Sequence, residues 1–338
     1  MALLHTEHLG ITVPPRAVMV PGLVVALAAG TVGTIAGARV PVIGAPVVAL
    51  VVGILAGALL RRHSAVLAPG LSFGSTRLLQ TAVVLLGAQI SLGEVVGVGV
   101  GSVPVMLVTL AACLGTAVYA GPRLGVDEEL RLLIAVGTGI CGAAAIAAIS
   151  SVTRPRATSV AYAISTIFLF NVAAVLLFPP LGHLLHLGQS DFGLLAGTAV
   201  NDTSSVVAAS AAYGQVAADH AVVVKLTRTL MIVPIAGFLG MRSGNLAHGR
   251  LRRLARLVPW FLIGFLATAA MHTTGLIGGA LSSDLARSAV LLTATALGAI
   301  GCLTDPAALR TSGSRPLLLG TVLWLTVTAV SLLAQAVL

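Results

Sequence analysis

The segment AVMVPGLVVALAAGTVGTIAGA, residues 17–38, contains no charged side chain. About 20 mostly apolar residues are enough for a helix to cross the hydrocarbon core of a bilayer. Similar segments recur along the whole chain, which is 57% hydrophobic and 9% charged. A soluble domain carries about 25% charged residues. The composition therefore predicts an all-α polytopic membrane protein.

Apolar windows predict about eleven transmembrane helices, with a range of 9–11, in a single transmembrane domain over residues 1–338. The second and third windows are short, and the stretch Leu67–Ser75, which contains Pro69 and Gly70, is predicted to be a loop or a partly inserted segment. The predicted spans are 17–38, 46–60, 78–93, 102–121, 130–150, 158–180, 191–213, 219–241, 257–279, 286–303 and 316–337.

The basic residues between these spans are distributed unevenly. With the N-terminus in the cytoplasm, most of them fall on the cytoplasmic side, including the run Arg250–Arg256. The residues that fall on the other side are Arg39, Arg154, Arg156 and Arg287. Cytoplasmic loops are enriched in Lys and Arg, so the bias predicts a multi-pass protein of the bacterial inner (cytoplasmic) membrane with its C-terminus outside.

Several functional classes are disfavoured by the sequence. The net charge of +9 is scattered between apolar runs and forms no basic cluster with aromatics, so we expect no nucleic-acid partner. Cys113, Cys141 and Cys302 form no CxxC pattern, and we expect neither a disulfide framework nor a metal site. No nucleophile–base pattern or cofactor motif occurs, so we expect neither an enzyme nor a cofactor.

Two of the predicted spans contain small polar residues in place of apolar ones. The segments near 137–150 and 197–210 share Gly-Thr at one end and Ser at the other when aligned 60 residues apart. A helix interrupted in its middle exposes free N–H and C=O groups, which need protein or water as partners. Such segments mark transport sites, although close helix packing through small residues is the alternative.

The order of these two segments leaves their relation open. Two spans that lie two positions apart in the chain run in the same direction, whereas an inverted repeat requires an odd separation. Either the similarity is only functional, or one segment is re-entrant, or a span is miscounted.

Three ionisable side chains are predicted to lie deep in the membrane, where a charge costs about 2.5–3.5 kcal/mol on insertion scales. Lys225 and Arg228 share one face of the eighth span, and Asp202 lies on the seventh. A short connection makes these spans neighbours, so we expect an ion pair of Asp202 with Arg228 or Lys225. The surplus positive charge predicts either an anionic substrate or a deprotonated lysine. Asn171, inside the sixth span, is equally a helix–helix contact or a site residue.

Four stretches of this chain resemble the YeiH-type sulfate exporter family of bacterial membrane transporters, and they cover most of its length in the right order. They are GTGICGAAAIA from Gly137, AYAISTIFLFN from Ala161, FGLLAGTAVNDTSSVVAA from Phe192 and VKLTRTLM from Val224. Many members of that family carry His-Glu where this chain has Asn201-Asp202. More distantly, the interrupted segments resemble the bile-acid symporter and sodium–proton antiporter superfamily, which implies a core that moves against a panel of helices.

The resemblance implies ion-coupled export of a small anion such as sulfate, a related sulfur oxyanion or a sulfonate. The alternative is a sodium (cation)–proton antiporter that uses Asp202. H⁺ or Na⁺ is the expected coupling ion at Asp202 and Asn201. Oligomeric state, a homodimer included, stays open. The candidate substrate-binding residues are Arg228, Lys225, Thr138, Gly139, Cys141, Thr198, Asn201, Thr203, Ser204 and Ser205.

Overall fold

The computed structural model describes residues 16–37, 44–235, 259–304 and 314–337. This part of the chain is helical, without a strand, which confirms the all-α prediction. We number its α-helices in chain order. They are α1 Arg16–Gly37, α2 Gly44–Leu59, α3 Ser64–Phe73, α4 Leu79–Leu86, α5 Leu92–Arg123, α6 Glu128–Val136, α7 Ala143–Thr153, α8 Ala157–Leu184, α9 Gln189–Ala199, α10 Thr203–Tyr213, α11 Gln215–Leu230, α12 Trp260–Thr273, α13 Gly279–Leu303 and α14 Ser314–Val337.

Six helical segments of the described chain are long and apolar enough to cross a bilayer. They are Val18–Gly37, Arg61–Gln89, Leu92–Arg123, Ala157–Leu184, Leu281–Leu303 and Ser314–Val337. Ala45–Leu59 and Trp260–Thr273 are apolar but shorter. The last part of the predicted span 219–241 lies outside the described residues, as do Arg39 and the run Arg250–Arg256.

The third span differs from its prediction. The segment from Arg61 to Gln89 is continuously helical, and short 3₁₀ or π turns join α3, α4 and their ends. Leu67–Ser75 is therefore helix rather than loop, and Pro69 lies within the helix. A capping box at Ser91 and Glu94 then begins α5: the Glu94 N–H donates to Ser91 Oγ at 3.2 Å, and Glu94 Oε2 accepts from the Ser91 N–H at 2.8 Å.

The predicted span 130–150 is a re-entrant hairpin, which we call hairpin 1 (α6, Gly137–Gly142 and α7). The Arg156 N–H donates to Glu129 Oε1 at 2.6 Å, and the Arg156 guanidinium lies 3.0 Å from Asp127. In one straight helix the two ends of this segment would lie about 40 Å apart. The hydrogen bond to Asp127, followed by the charge of Glu129, raises the pKa of Arg156. The chain therefore enters and leaves on one side.

Glycine allows the reversal at the tip of hairpin 1. The Gly142 N–H donates to the Gly137 carbonyl at 2.8 Å and closes a π turn. Gly142 then adopts φ 68° and ψ −133°, a backbone conformation that is strongly disfavoured for residues with a Cβ. A Cβ on Gly137 would lie 3.0 Å from Ile146 Cδ1, so the returning helix packs against the entering one.

The predicted span 191–213 is a second re-entrant hairpin, hairpin 2 (α9, Val200–Asp202 and α10). Gln189 Oε1 accepts from the Ala217 N–H at 3.3 Å. The Phe192 and Tyr213 rings stack with centroids 3.9 Å apart. These contacts bring the start of α9 beside the end of α10, where one straight helix would separate them by about 30 Å or more.

A single helix, α8, separates the two hairpins. Its 28 residues reach about 42 Å at 1.5 Å per residue, which exceeds the hydrocarbon thickness. It begins beside the open end of hairpin 1 and ends beside the open end of hairpin 2. The hairpins therefore open on opposite faces. These two predicted spans are therefore hairpins rather than full crossings, as the interrupted segments and the range of 9–11 spans allow, and the re-entrant alternative resolves their orientation.

The helices form two groups by their contacts. The scaffold helices (α1–α4, α12 and α13) pack mainly against one another, and the hairpin group (α5–α11 and α14) does the same. Contacts between the groups run chiefly through α10 with α2 and α13, and α5 with α12. Within the scaffold, a Cβ on Gly53 would clash with the Gly298 carbonyl oxygen, so α2 and α13 touch at the backbone.

Candidate functional site

The two hairpin tips meet at the side chain of Lys225. Its ammonium donates to the Ile140 carbonyl of hairpin 1 at 3.0 Å and to the Val200 carbonyl of hairpin 2 at 2.8 Å. Lys225 lies ten residues into α11, about 15 Å along that helix. The half-helices that enter each hairpin end at these tips with free carbonyls and partial negative charge. The Lys225 ammonium provides a hydrogen-bond donor to a carbonyl at each of these two helix ends.

Arg228 contacts the same tip of hairpin 1. Its Nη2 donates to the Thr138 carbonyl at 3.4 Å, whereas Nε and Nη1 have no partner among the described residues. Lys225 is fully buried and Arg228 is 1% exposed. Neither forms an ion pair with a described carboxylate.

The predicted ion pair of Asp202 with Arg228 or Lys225 is therefore wrong. The physical reason is that broken helix ends supply carbonyl acceptors closer to both cations than the carboxylate is. Asp202 lies instead at the N-cap position of α10, where its carboxylate accepts a hydrogen bond from the Ser204 hydroxyl. Its backbone N–H donates to Asn171 Oδ1 of α8 at 3.2 Å.

A cavity of about 340 Å³ lies between the scaffold helices and the hairpin group. Its polar end contains the first turns of α7 and α10, with residues Cys141, Ala144, Asp202, Thr203, Ser204 and Ser205. Asn171 and Thr229 also line it. Most of its remaining walls are formed by apolar side chains such as Leu79, Val83, Phe168, Val175 and Leu297, and Ser75, Thr76 and Gln80 add polar groups there.

The positive ends of two half-helices, α7 and α10, lie at the cavity. In α7 and α10 the first N–H groups lack intrahelical carbonyls, and the helix dipole adds partial positive charge there. Asn171 and Ser205 are 5% and 8% exposed, and neither the Asn171 amide nitrogen nor the Ser205 hydroxyl has a partner among the described residues. These donors can hold a small anion.

The structure divides the predicted site residues into two sets. Those that line the cavity are Cys141, Asp202, Thr203, Ser204 and Ser205. Those that lie buried behind it are Thr138, Gly139, Thr198, Asn201, Lys225 and Arg228. Thr198 in α9 is joined to Ser331 of α14 through a 2.6 Å contact between their hydroxyls. The Thr138 hydroxyl and both polar atoms of the Asn201 side chain have no partner in the described chain.

Sequence reasoning missed the contribution of the scaffold helices. The cavity residues Ser75, Thr76 and Gln80 come from the segment that contains α3 and α4, in which the sequence predicts a loop or a partly inserted segment at Leu67–Ser75. Thr229, one turn after Lys225 in α11, also lines the cavity and is not among the predicted site residues. The one indication in the sequence that α8 forms a wall of the cavity was Asn171, an amide within an apolar helix.

Comparison with known proteins identifies the family. The model of the family described as Conserved hypothetical protein 698 matches residues 19–320. A UPF0324 membrane protein of Streptococcus pyogenes serotype M6 is 40% identical over 327 residues, covering 93% of this chain and 96% of that protein.

Relatives in other bacteria are similar over comparable lengths. A UPF0324 membrane protein of Clostridium tetani is 39% identical over 87% of this chain and 89% of its own. One from Streptococcus agalactiae serotype V is 36% identical over 94% and 97%. No solved structure matches this chain. The chain belongs to the YeiH/UPF0324 family of membrane proteins.

Proposed function

We propose that this protein is a secondary transporter, and not an enzyme, that carries a small anion across the bacterial inner membrane. The observation that carries the proposal is the meeting of two oppositely opening hairpins at one cavity near the middle of the bilayer. Non-helical backbone at that depth is tolerated where it lines a cavity or is buried in protein. Broken helices whose ends meet at mid-depth are typical of secondary transporters.

The cavity chemistry supports an anion with an apolar part. The N–H groups of α7 and α10, the Asn171 amide and the Ser205 hydroxyl offer donors at one end. Most of the other walls are apolar, and the three polar side chains among them, Ser75, Thr76 and Gln80, do not replace the full hydration shell of a bare inorganic oxyanion. A sulfonate, which joins an oxyanion to a carbon body, fits this lining better than free sulfate does.

Asp202 is the proposed coupling residue. Its carboxylate lies at the anion end of the cavity, and no basic side chain of the described residues lines that cavity. An ionised Asp202 would repel an anion, and a protonated Asp202 would not. Binding of anion and proton would therefore favour each other.

A second candidate, a cation–proton antiporter, is favoured by the same carboxylate. In that function Asp202 would bind Na⁺ or H⁺ alternately, with Ser204 beside it. In favour of the antiporter, no basic side chain of the described residues lines the cavity. Against it, the N-termini of two helices lie at the cavity, and their partial positive charge repels cations.

The hairpin topology also supports an orientation. With two re-entrant hairpins, Arg154 and Arg156 move to the face that holds Arg123, and Arg287 stays on the opposite face. The positive-inside rule then favours a cytoplasmic Arg123 face more strongly than eleven full spans did. The C-terminal end of α14 lies outside in this orientation.

Flux into proteoliposomes tests the function. Radiolabelled sulfate and a small sulfonate are offered with an imposed pH gradient, and with a Na⁺ gradient in parallel. Protein-dependent anion flux driven by either gradient supports the anion transporter. A Na⁺-dependent change of internal pH without anion flux would support the antiporter instead.

A further inference from the structure

We propose that the hairpin tips form a cation site that the Lys225 ammonium fills, so that the protein carries its own tethered cation there. Lys225 Nζ lies within hydrogen-bond distance of one carbonyl from each hairpin, Ile140 at 3.0 Å and Val200 at 2.8 Å. Carbonyls from two half-helix C-terminal ends are the ligands that hold small cations in broken-helix proteins.

The two carbonyls have little alternative to a cation. They belong to residues at the ends of helical segments, where carbonyls lose their intrahelical partners. Ile140 and Val200 are fully buried. Water is scarce at that depth, so a buried carbonyl needs a donor or an ion. Removal of the ammonium leaves two partial negative helix ends facing each other at the point where the two hairpin tips meet, which we call the junction.

The surroundings supply further ligands of the same type. Asn201 follows Val200 directly, is 1% exposed, and its Oδ1 has no partner among the described residues. The Thr138 hydroxyl, on the other tip, is also buried and unpaired. The charged and titratable groups nearest Lys225 are Arg228, Cys141 and Asp202, and none of them pairs with the ammonium directly.

The tethered cation has a consequence for coupling, and this part rests on the proposed transport function. Since Lys225 already occupies the junction, Na⁺ has no role there, and Asp202 is left as the coupling group. We therefore expect flux to follow a proton gradient and to be the same in Na⁺ and in choline.

Thermal unfolding of the purified full-length protein in NaCl and in choline chloride tests the site without any transport measurement. Wild type should unfold at the same temperature in both salts. Lys225→Ser opens space at the junction, and it should lower the unfolding temperature in choline by about 5 °C or more. Na⁺ at about 100 mM should restore a large part of that loss by binding the folded form.

The matched control is Lys225→Met, which keeps the length of the side chain and fills the space with an apolar group. It should be destabilised in both salts and gain nothing from Na⁺. A Na⁺-dependent shift in wild type would overturn the tethered cation, as would an equal response of the two variants. The wild-type comparison requires no variant to fold. Normal wild-type stability in choline without any anion flux would instead count against the transport function alone.

Discussion

Asp202 is the one carboxylate among the described residues that line the cavity, and its neighbours there are helix N-termini and hydroxyls. Two unit charges 4 Å apart interact by about 4 kcal/mol at an effective dielectric constant of 20. Even a fraction of this repulsion makes the protonation state of Asp202 decisive for an anion.

Asp202→Asn should raise anion affinity by about tenfold or more, because it removes the carboxylate charge from the anion end of the cavity. Thermal-shift titration of both proteins with the anion at one pH measures this. Asp284→Asn changes an exposed carboxylate paired with Arg287 and should behave as wild type. Wild-type anion affinity in Asp202→Asn would exclude this role.

Asn171→Leu should weaken anion binding by about 10-fold or more, because a hydrogen bond to a charged group contributes about 1.5–3 kcal/mol. Leucine has a similar volume and lacks the amide donor. Val172→Ala, a change in the same cavity wall that removes no donor, is the control. Equal affinities for the two variants would mean that Asn171 only positions the Asp202 backbone.

At the scale of elements, the hairpins show how far the sequence could predict this fold. Apolar length predicts nearly every helix, since a bilayer demands it. It does not distinguish a straight span from a hairpin of equal length. For hairpin 1 the difference depends on the φ of one residue, Gly142, and on the contacts of Arg156 with Asp127 and Glu129. Those contacts join residues far apart in sequence.

The candidate site was predicted in part for a related reason. Small polar residues at Gly137–Cys141 and Asn201–Ser205 indicate interrupted helices, and both segments lie at the junction. The partners of Lys225 and Arg228 could not be predicted, because charge alone favours Asp202. Backbone carbonyls become acceptors only when the helices break, and the sequence does not specify where a break exposes them.

Gly142→Ala should destabilise the protein by about 1–3 kcal/mol, the range for a residue forced into a disfavoured backbone conformation. The added Cβ would also lie 3.3 Å from Asp202 Cβ, so anion affinity should fall with stability. Gly97→Ala is the control, because its Cβ would meet nothing within 4 Å and alanine favours the interior of α5. Thermal unfolding and anion titration report both effects. Equal stability of the two variants would contradict the proposed strain.

At the scale of the whole molecule, the two hairpins place each end of α8 on the side of the membrane opposite to the one that eleven full spans predict. Thr158 in α8 and Ser190 in α9 are exposed and lie at the two ends of α8. In the proposed orientation Thr158 faces the cytoplasm and Ser190 faces outside. Eleven full spans with the same N-terminus predict the opposite for both positions.

Thr158→Cys and Ser190→Cys, in a background without Cys113, Cys141 and Cys302, separate these topologies. A membrane-impermeant thiol reagent added to intact cells should label Ser190→Cys and spare Thr158→Cys until the cells are permeabilised. A C-terminal reporter that is active only in the cytoplasm should stay silent in both. Labelling of Thr158→Cys in intact cells would contradict the hairpin arrangement in this orientation.

The depth of the hairpin tips has an electrical consequence. A charge halfway across the bilayer has crossed about half of the membrane potential, which is worth about 1.2 kcal/mol per 100 mV. A monovalent sulfonate bound together with a proton on Asp202 carries no net charge through that field. Its flux should therefore be indifferent to potassium diffusion potentials set with valinomycin. In Asp202→Asn the anion would travel alone, and a potential of 100 mV should change its initial rate by up to about sevenfold. The membrane potential would then drive anion flux through the variant, whereas flux through the natural protein would follow the pH gradient and not the potential.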